Sequence, residues 1–470
     1  MKSVTQYEKL GDVEMSRGDG HLGSQKNYRG LIILTFVSIT LLILLLLQTL
    51  LVSITTSSSK SSGEQEYYPM RETCTDPCRI MLVESIPEGM VFNSSSIHQS
   101  TYEAWLNLIS TAKTSLDIAS FYWTLTNKDT KTHDATANQG ERILQELGQL
   151  SGRVHVRIAV DKPTKSKSLD DINFLSASGA DVRLVNMLEL TRGVLHTKFW
   201  IVDKKHVYIG SANMDWRALT QVKELGAVVY DCSCLAADLG KIFEAYWYLN
   251  QTDTVPVHWP SSFSTAYNKE TPMQLSLNGS SSSVYLSSSP PSLCADGRTA
   301  DLQSILSVIG DAQEFVYIAV MNYLPTMEFS RQTRYWMDID SQLRRVAYER
   351  KVNIRLLISC WDSTNPIMFS FLRSLASLQE KNTLDVQVRI FTVPSDPRQK
   401  AIPFARVNHN KYMVTDRVAY IAGCGLVVNQ TGHQSSSSTV QSQLQSVFER
   451  DWDSPYSTDI NLRTNRKTVC

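Results

Sequence analysis

HTKFWIVD at residues 196–203 and HNKYMVTD at residues 409–416 carry one pattern, H-x-K-x4-D, twice in a single chain. Each copy lies in a run of β-branched and aromatic residues and reads as an alternating strand that ends in Tyr-Ile. On a strand, residues i and i+2 face the same side. His196 with Lys198, and His409 with Lys411, therefore each project together into one space. Asp203 and Asp416 close the two motifs as candidate catalytic carboxylates.

The duplication extends outward. SLDIASFYW (115–123) matches FVYIAVMNY (315–323), RVHVRIAV (153–160) matches KVNIRLLIS (351–359), and ADVRLV (180–185) matches LDVQVRIF (384–391). Helical patterns, GERILQELGQL (140–150) and DSQLRRVAYER (340–350), follow the first of these strands in each copy. Strands alternating with helices predict an α/β fold of two similar halves, each a mainly parallel sheet flanked by helices. The halves are expected over 74–279 and 301–470, packed as a pseudo-dimer with one shared active site. The Ser/Pro-rich SSSSVYLSSSPPS (280–292) places their junction at 280–300.

With 46 basic and 46 acidic residues the formal net charge is zero, which excludes a generally basic nucleic-acid binder; any anion site is local. Residues 31–54, LIILTFVSITLLILLLLQTLLVSI, are uncharged and long enough for a transmembrane helix. Lys26 and Arg29 before it place the tail 1–30 in the cytoplasm and the bulk of the chain outside it, a type II single-pass arrangement with a Ser-rich stalk over 55–73. Asn93, Asn250, Asn278 and Asn429 head glycosylation sequons beyond the span, where all eight cysteines also lie. The spacings CTDPC and CSC suit disulfides in an oxidising lumen; zinc is the alternative, but no Cys/His cluster completes a metal pattern.

The paired motifs suit phosphate-ester chemistry. One imidazole can attack phosphorus while the other, protonated, supplies a proton to the leaving oxygen, and the ammonium groups neutralise the developing charge. No metal or other cofactor is required. Phe121, Tyr122, Trp123, Tyr323 and Trp361 fall near strand ends, where rings can stack on unpaired bases.

HTKFWIVD with GSANMD, and HNKYMVTD, resemble the duplicated motifs of the phospholipase D superfamily. The flanks VESIPEGM, DIASFYWTLTN, IFEAYWYL and RDWDSPYS are similar to its single-pass lysosomal members three and four, closest to member three, over about residues 74 to 457. That resemblance implies a metal-independent 5′-3′ exonuclease on single-stranded DNA and RNA, acting through a phosphohistidine. It implies passage through the endoplasmic reticulum and Golgi to the lysosome. It assigns His196 and His409 as nucleophile and acid in either order, Lys198 and Lys411 as phosphate holders, and Ser211 and Asn213 as substrate-binding donors. Glu224 would orient a catalytic His, its plain alternative being a solvated helix residue. It pairs Cys74 with Cys234, Cys78 with Cys232, and Cys360 with Cys470. Single-stranded nucleic acid is the expected partner, with a phospholipid substrate and a homodimer as further expectations.

The halves differ at one point. Sixteen residues, GSANMDWRALTQVKEL, separate YI from GAVV in the first half, whereas only AGC separates YI from GLVV in the second. Counterparts of Ser211, Asn213 and Glu224 are thus missing after Ile421, and impaired activity is expected. Parallel neighbours need a crossover of about a dozen residues or more, so three residues also predict a local break in the fold. The alternatives to a nuclease are a phospholipid transphosphatidylase or phospholipase using the same site, and a catalytically inactive membrane glycoprotein.

Overall fold

Two mixed sheets carry the two halves. The computed structural model describes residues 39–44, 46–48, 74–93, 97–163, 169–327, 334–380, 383–430, 439–462 and 470. Most of the expected span 31–54, with the tail and the stalk, lies outside the described residues. No helix among the described residues is long and apolar enough to cross a membrane. The residues from 68 onward form one unit, separate from 1–67.

The first sheet has eight strands in the order Gln99–Ser100, Arg79–Ser85, Glu224–Tyr230, His206–Gly210, Phe199–Val202, Ser115–Ser120, His155–Asp161 and Asp181–Val185. The second has nine, in the order Met273–Leu277, Ser280–Leu286, Leu426–Gln430, Val418–Ile421, Lys411–Thr415, Phe315–Val320, Asn353–Ser359, Val386–Phe391 and Ser457–Asp459. The repeated segments occupy equivalent positions.

The sheets are not mainly parallel. Strands joined through helices are parallel, as Ser115–Ser120 is to His155–Asp161 and Phe315–Val320 to Asn353–Ser359. Strands joined by tight turns must run antiparallel. Each motif is such a hairpin rather than one strand: Phe199–Val202 pairs with His206–Gly210, and Lys411–Thr415 with Val418–Ile421. The expected break after Ile421 does not occur, for the same reason. Val418–Ile421 and Leu426–Gln430 are antiparallel, Ile421 facing Leu426, so a turn over residues 422–425 suffices. Their first-half equivalents, His206–Gly210 and Glu224–Tyr230, are antiparallel too, and the longer connection there is an excursion rather than a crossover. The expected junction also shifts, because Ser280–Leu286 is a strand of the second sheet, paired on both sides. Val284 and Leu286 are buried on one face and Tyr285 on the other, which outweighs its serine content.

Period-two alternation positions the motifs. Phe199 and Ile201 enter a core shared with Tyr412, Val414, Ala419 and Ile421 of the second half. Trp200 and Val202 point the other way, into the core under the helices Thr101–Thr111 and Asn138–Ser151. There Trp200 stacks on Trp105 with ring centroids 5.0 Å apart. The helices Ser233–Leu249 and Val440–Trp452 fill the shared core between the sheets. Disulfides join Cys74 to Cys234, Cys78 to Cys232 and Cys360 to Cys470. Cys294 and Cys424 are free thiols.

Candidate active site

Both motifs open onto two cavities that share His196 in their walls. His196 and His409 line one of about 570 Å³, together with Asn213, Glu224, Phe121, Tyr122, Trp361 and Phe404. His196 also lines a second, of about 210 Å³, with Lys198, Ser211 and Lys411. The two histidines and the two lysines therefore converge on one place from opposite halves.

The lysines are held alike. Lys198 Nζ donates to the His196 carbonyl at 2.5 Å, and Lys411 Nζ to the His409 carbonyl at 2.9 Å. Each motif thus folds its own ammonium back under its own histidine. Burial pushes the Lys411 ammonium down to about 8, opposed by the Glu224 carboxylate.

Glu224 is buried at the start of a strand, not solvated on a helix. Both carboxylate oxygens lie 2.9 Å from Nδ1 of His409, which belongs to the other half. Burial raises the Glu224 carboxyl to about 8, against the opposing pull of Lys411, the Ser211 hydroxyl and Lys198. Burial, followed by the Lys411 and Lys198 charges, holds the His409 imidazole well below its ordinary value. The pair is best treated as one proton-holding unit.

Not every expected site residue comes here. Asp203 and Asp416 sit at the far ends of the motif hairpins. Asp203, with φ of +51°, accepts from the backbone N–H groups of Lys113, Thr114 and Ser115. Asp416 accepts from those of Gln313, Glu314 and Phe315. Both carboxylates clamp a hairpin turn to the strand beside it, because a carboxylate can satisfy several N–H groups at once. Ser211 is buried against Leu225, its Oγ accepting from Leu225 N–H at 3.0 Å, and lines the smaller cavity. Among the aromatic candidates, Trp123 and Tyr323 are core residues, bonded to Ser120 and Asp340. Phe121, Tyr122 and Trp361 line the larger cavity.

Sequence reading missed two features of the walls. Arg217 and Asp215 form a buried ion pair at 2.7 Å, and Phe404 stands 71% exposed beside Trp361. The WRAL pattern of 216–219 signals only a helix, and an isolated Phe signals nothing. Of the sequon asparagines, Asn278 spends both amide atoms on Ile80, accepting from its N–H and donating to its carbonyl. Asn250 Nδ2 donates to the Leu184 carbonyl at 2.8 Å, while Asn93 is exposed and Asn429 half-buried.

The family described as PLD3/4, PLD-like domain matches residues 93–396. The protein named 5′-3′ exonuclease PLD3 of Xenopus laevis is 58% identical over 414 residues, covering 84% of each chain. This chain belongs to the PLD3/4 family of PLD-like proteins. The PLD3 of Homo sapiens is 55% identical, covering 83% of this chain and 82% of its own, and the 5′-3′ exonuclease PLD4 of Mus musculus is 45% identical. Among solved structures, a phosphatidylserine synthase of Haemophilus influenzae covers 76% of this chain and 85% of its own with a TM-score of 0.50 at 14% identity, a likeness of fold alone.

The PLD-like pattern makes the second-half departure concrete. Glu224, which reaches His409, lies on the sixteen-residue stretch of the first half, whereas Ala422–Gly425 holds no carboxylate. In place of donors the short turn brings backbone. A Cβ at Gly423 would stand 2.8 Å from the Gly210 carbonyl, so the two motif hairpins meet there through glycine.

Proposed function

We propose that this chain is a phosphodiesterase of the 5′-3′ exonuclease type, acting on single-stranded nucleic acid in an acid lumenal compartment behind a membrane anchor at 31–54. The observation that carries the chemistry is the Glu224–His409 contact across the halves, which builds one composite site from both motifs. Its relatives' names supply the substrate class.

His196 is exposed to the cavity and serves as the nucleophile, forming a nitrogen–phosphorus bond as the ester oxygen leaves. His409 with Glu224 supplies the proton to that oxygen. In the two-proton state of the pair, Nε2 carries a proton whichever partner holds the other one. Water, deprotonated by His409 in return, then releases the phosphate from His196. Lys198 and Lys411 hold the phosphoryl oxygens, and Phe121, Tyr122 and Trp361 offer rings to unpaired bases.

The test is release of mononucleotides from 5′-hydroxyl single-stranded DNA by the full chain at acid pH with a chelator present. His196→Ala and His409→Ala should each lower release by about three orders of magnitude or more. Equal rates in the native chain and both variants would contradict the reading.

A lipid phosphodiester is the second substrate reading. It is favoured by an apolar cavity of about 410 Å³ beside Lys411, lined by Ile305, Ile318, Val320, Leu324 and Ile339. Labelled phosphatidylglycerol should then give exchange products with an alcohol acceptor, and their absence would remove it.

A further inference from the structure

Glu224 can act on His409 only if the segment that carries it is fixed against the second motif. That segment is gripped by backbone. Lys223 N–H donates to the Val407 carbonyl at 2.9 Å, and the Lys223 carbonyl accepts from His409 N–H at 2.8 Å. One residue thus bonds on both sides of the motif entry, immediately before Glu224.

Its side chain goes elsewhere. Lys223 Nζ lies 2.7 Å from Asp451 Oδ2 and 3.8 Å from Glu84 Oε2. Arg450 completes the group, bonding Glu84 through two nitrogens at 2.7 and 2.8 Å and Asp451 Oδ1 at 2.8 Å. All four side chains are at most 4% exposed. Two cations face two anions, so the cluster is neutral as a whole. Among the described residues, the titratable groups against it include the buried Tyr412 and also His98, whose backbone N–H donates to Glu84 at 3.1 Å. Burial holds His98 below its ordinary value, so it adds no charge at neutral pH.

The cluster also spans the halves. Glu84 lies on the strand Arg79–Ser85, whereas Arg450 and Asp451 lie on the helix Val440–Trp452. Burying four charges is costly, and losing one partner strands another without compensation. Such a group is well suited to fixing a register rather than adding stability.

We infer that Lys223, Asp451, Arg450 and Glu84 form the positioning device that holds Glu224 against His409. They touch no substrate and act through that pair, so the inference rests on the composite site proposed above. The charges lock the Lys223 side chain, the side chain fixes its backbone, and the backbone sets Glu224 and His409 in register.

The test uses the full chain labelled with ¹⁵N-histidine, comparing the native protein with a charge-balanced variant, Lys223→Met with Asp451→Asn. Glu224→Gln provides the reference for a lost contact. The His409 Nδ1 resonance of the double variant should move toward its position in Glu224→Gln. Nuclease kcat should fall about 10- to 100-fold with KM changed by less than about twofold, as for a misplaced reacting group. A folded double variant with native His409 resonances and native kcat would overturn the inference. An unmoved resonance in Glu224→Gln would overturn the pairing itself, and with it both readings. Should the double variant not fold, Lys223→Arg, which keeps the charge and alters its reach, is judged by the same two readouts.

Discussion

Glu224 shows how one side chain can trade stability for chemistry. Its carboxyl is raised to about 8 by burial, so the folded state holds a proton that the unfolded chain gives up near its ordinary value of 4.5. Folding is therefore favoured by this group at acid pH, and that contribution declines as pH rises from 4.5 toward 8. Glu224→Gln removes this dependence. The variant should gain stability relative to the native chain across that window in denaturant titrations, while losing nuclease activity by about two orders of magnitude or more. Activity has its own limb. The Glu224 carboxyl and the Lys411 ammonium both give up protons near 8, so the cleavage rate should fall as pH rises through that value. A rate that climbs through pH 8 would contradict the assignment of His409 as acid.

At the scale of elements, the short turn after Ile421 carries the difference between the halves. Gly425 has φ of +49°, and a Cβ there would meet Ser287 Oγ at 1.9 Å and Asp301 Oδ1 at 2.5 Å. Gly425→Ala should destabilise the fold by about 1–3 kcal/mol, read by urea denaturation, since it adds both backbone strain and overlap. Within the central sheets, Trp200→Ala removes the stacking partner of Trp105 and should cost about 3–5 kcal/mol.

These elements also mark what could be read in advance. The strands at 115–120, 155–161 and 181–185 and their second-half copies were legible because short buried runs alternate with amphipathic helices. Strand direction was not. Hairpin turns at Asp203 and Asp416 look like continuations of a strand until the carboxylate is seen clamping the neighbouring N–H groups. The His/Lys pairs were legible from spacing alone, since i and i+2 share a face. Glu224 was legible only through family likeness, because its contact with His409 spans 185 residues. Lys223 and Asp451 carried no local signal at all; a buried charge network is defined by partners that only the fold assembles.

At the largest scale, within residues 68–470, the two sheets share one core, and the proposed catalytic groups are split across it. Neither half alone holds both histidines, so the site exists only in the joined pair. The composite site follows from side-chain contacts between the halves.

The most direct test of that site is mass spectrometry of the full chain quenched during a single turnover of single-stranded DNA. One phosphohistidine adduct per chain is expected, located on His196 and abolished in His196→Ala. An adduct on His409, or turnover continuing in His196→Ala with no adduct on either histidine, would contradict the assignment.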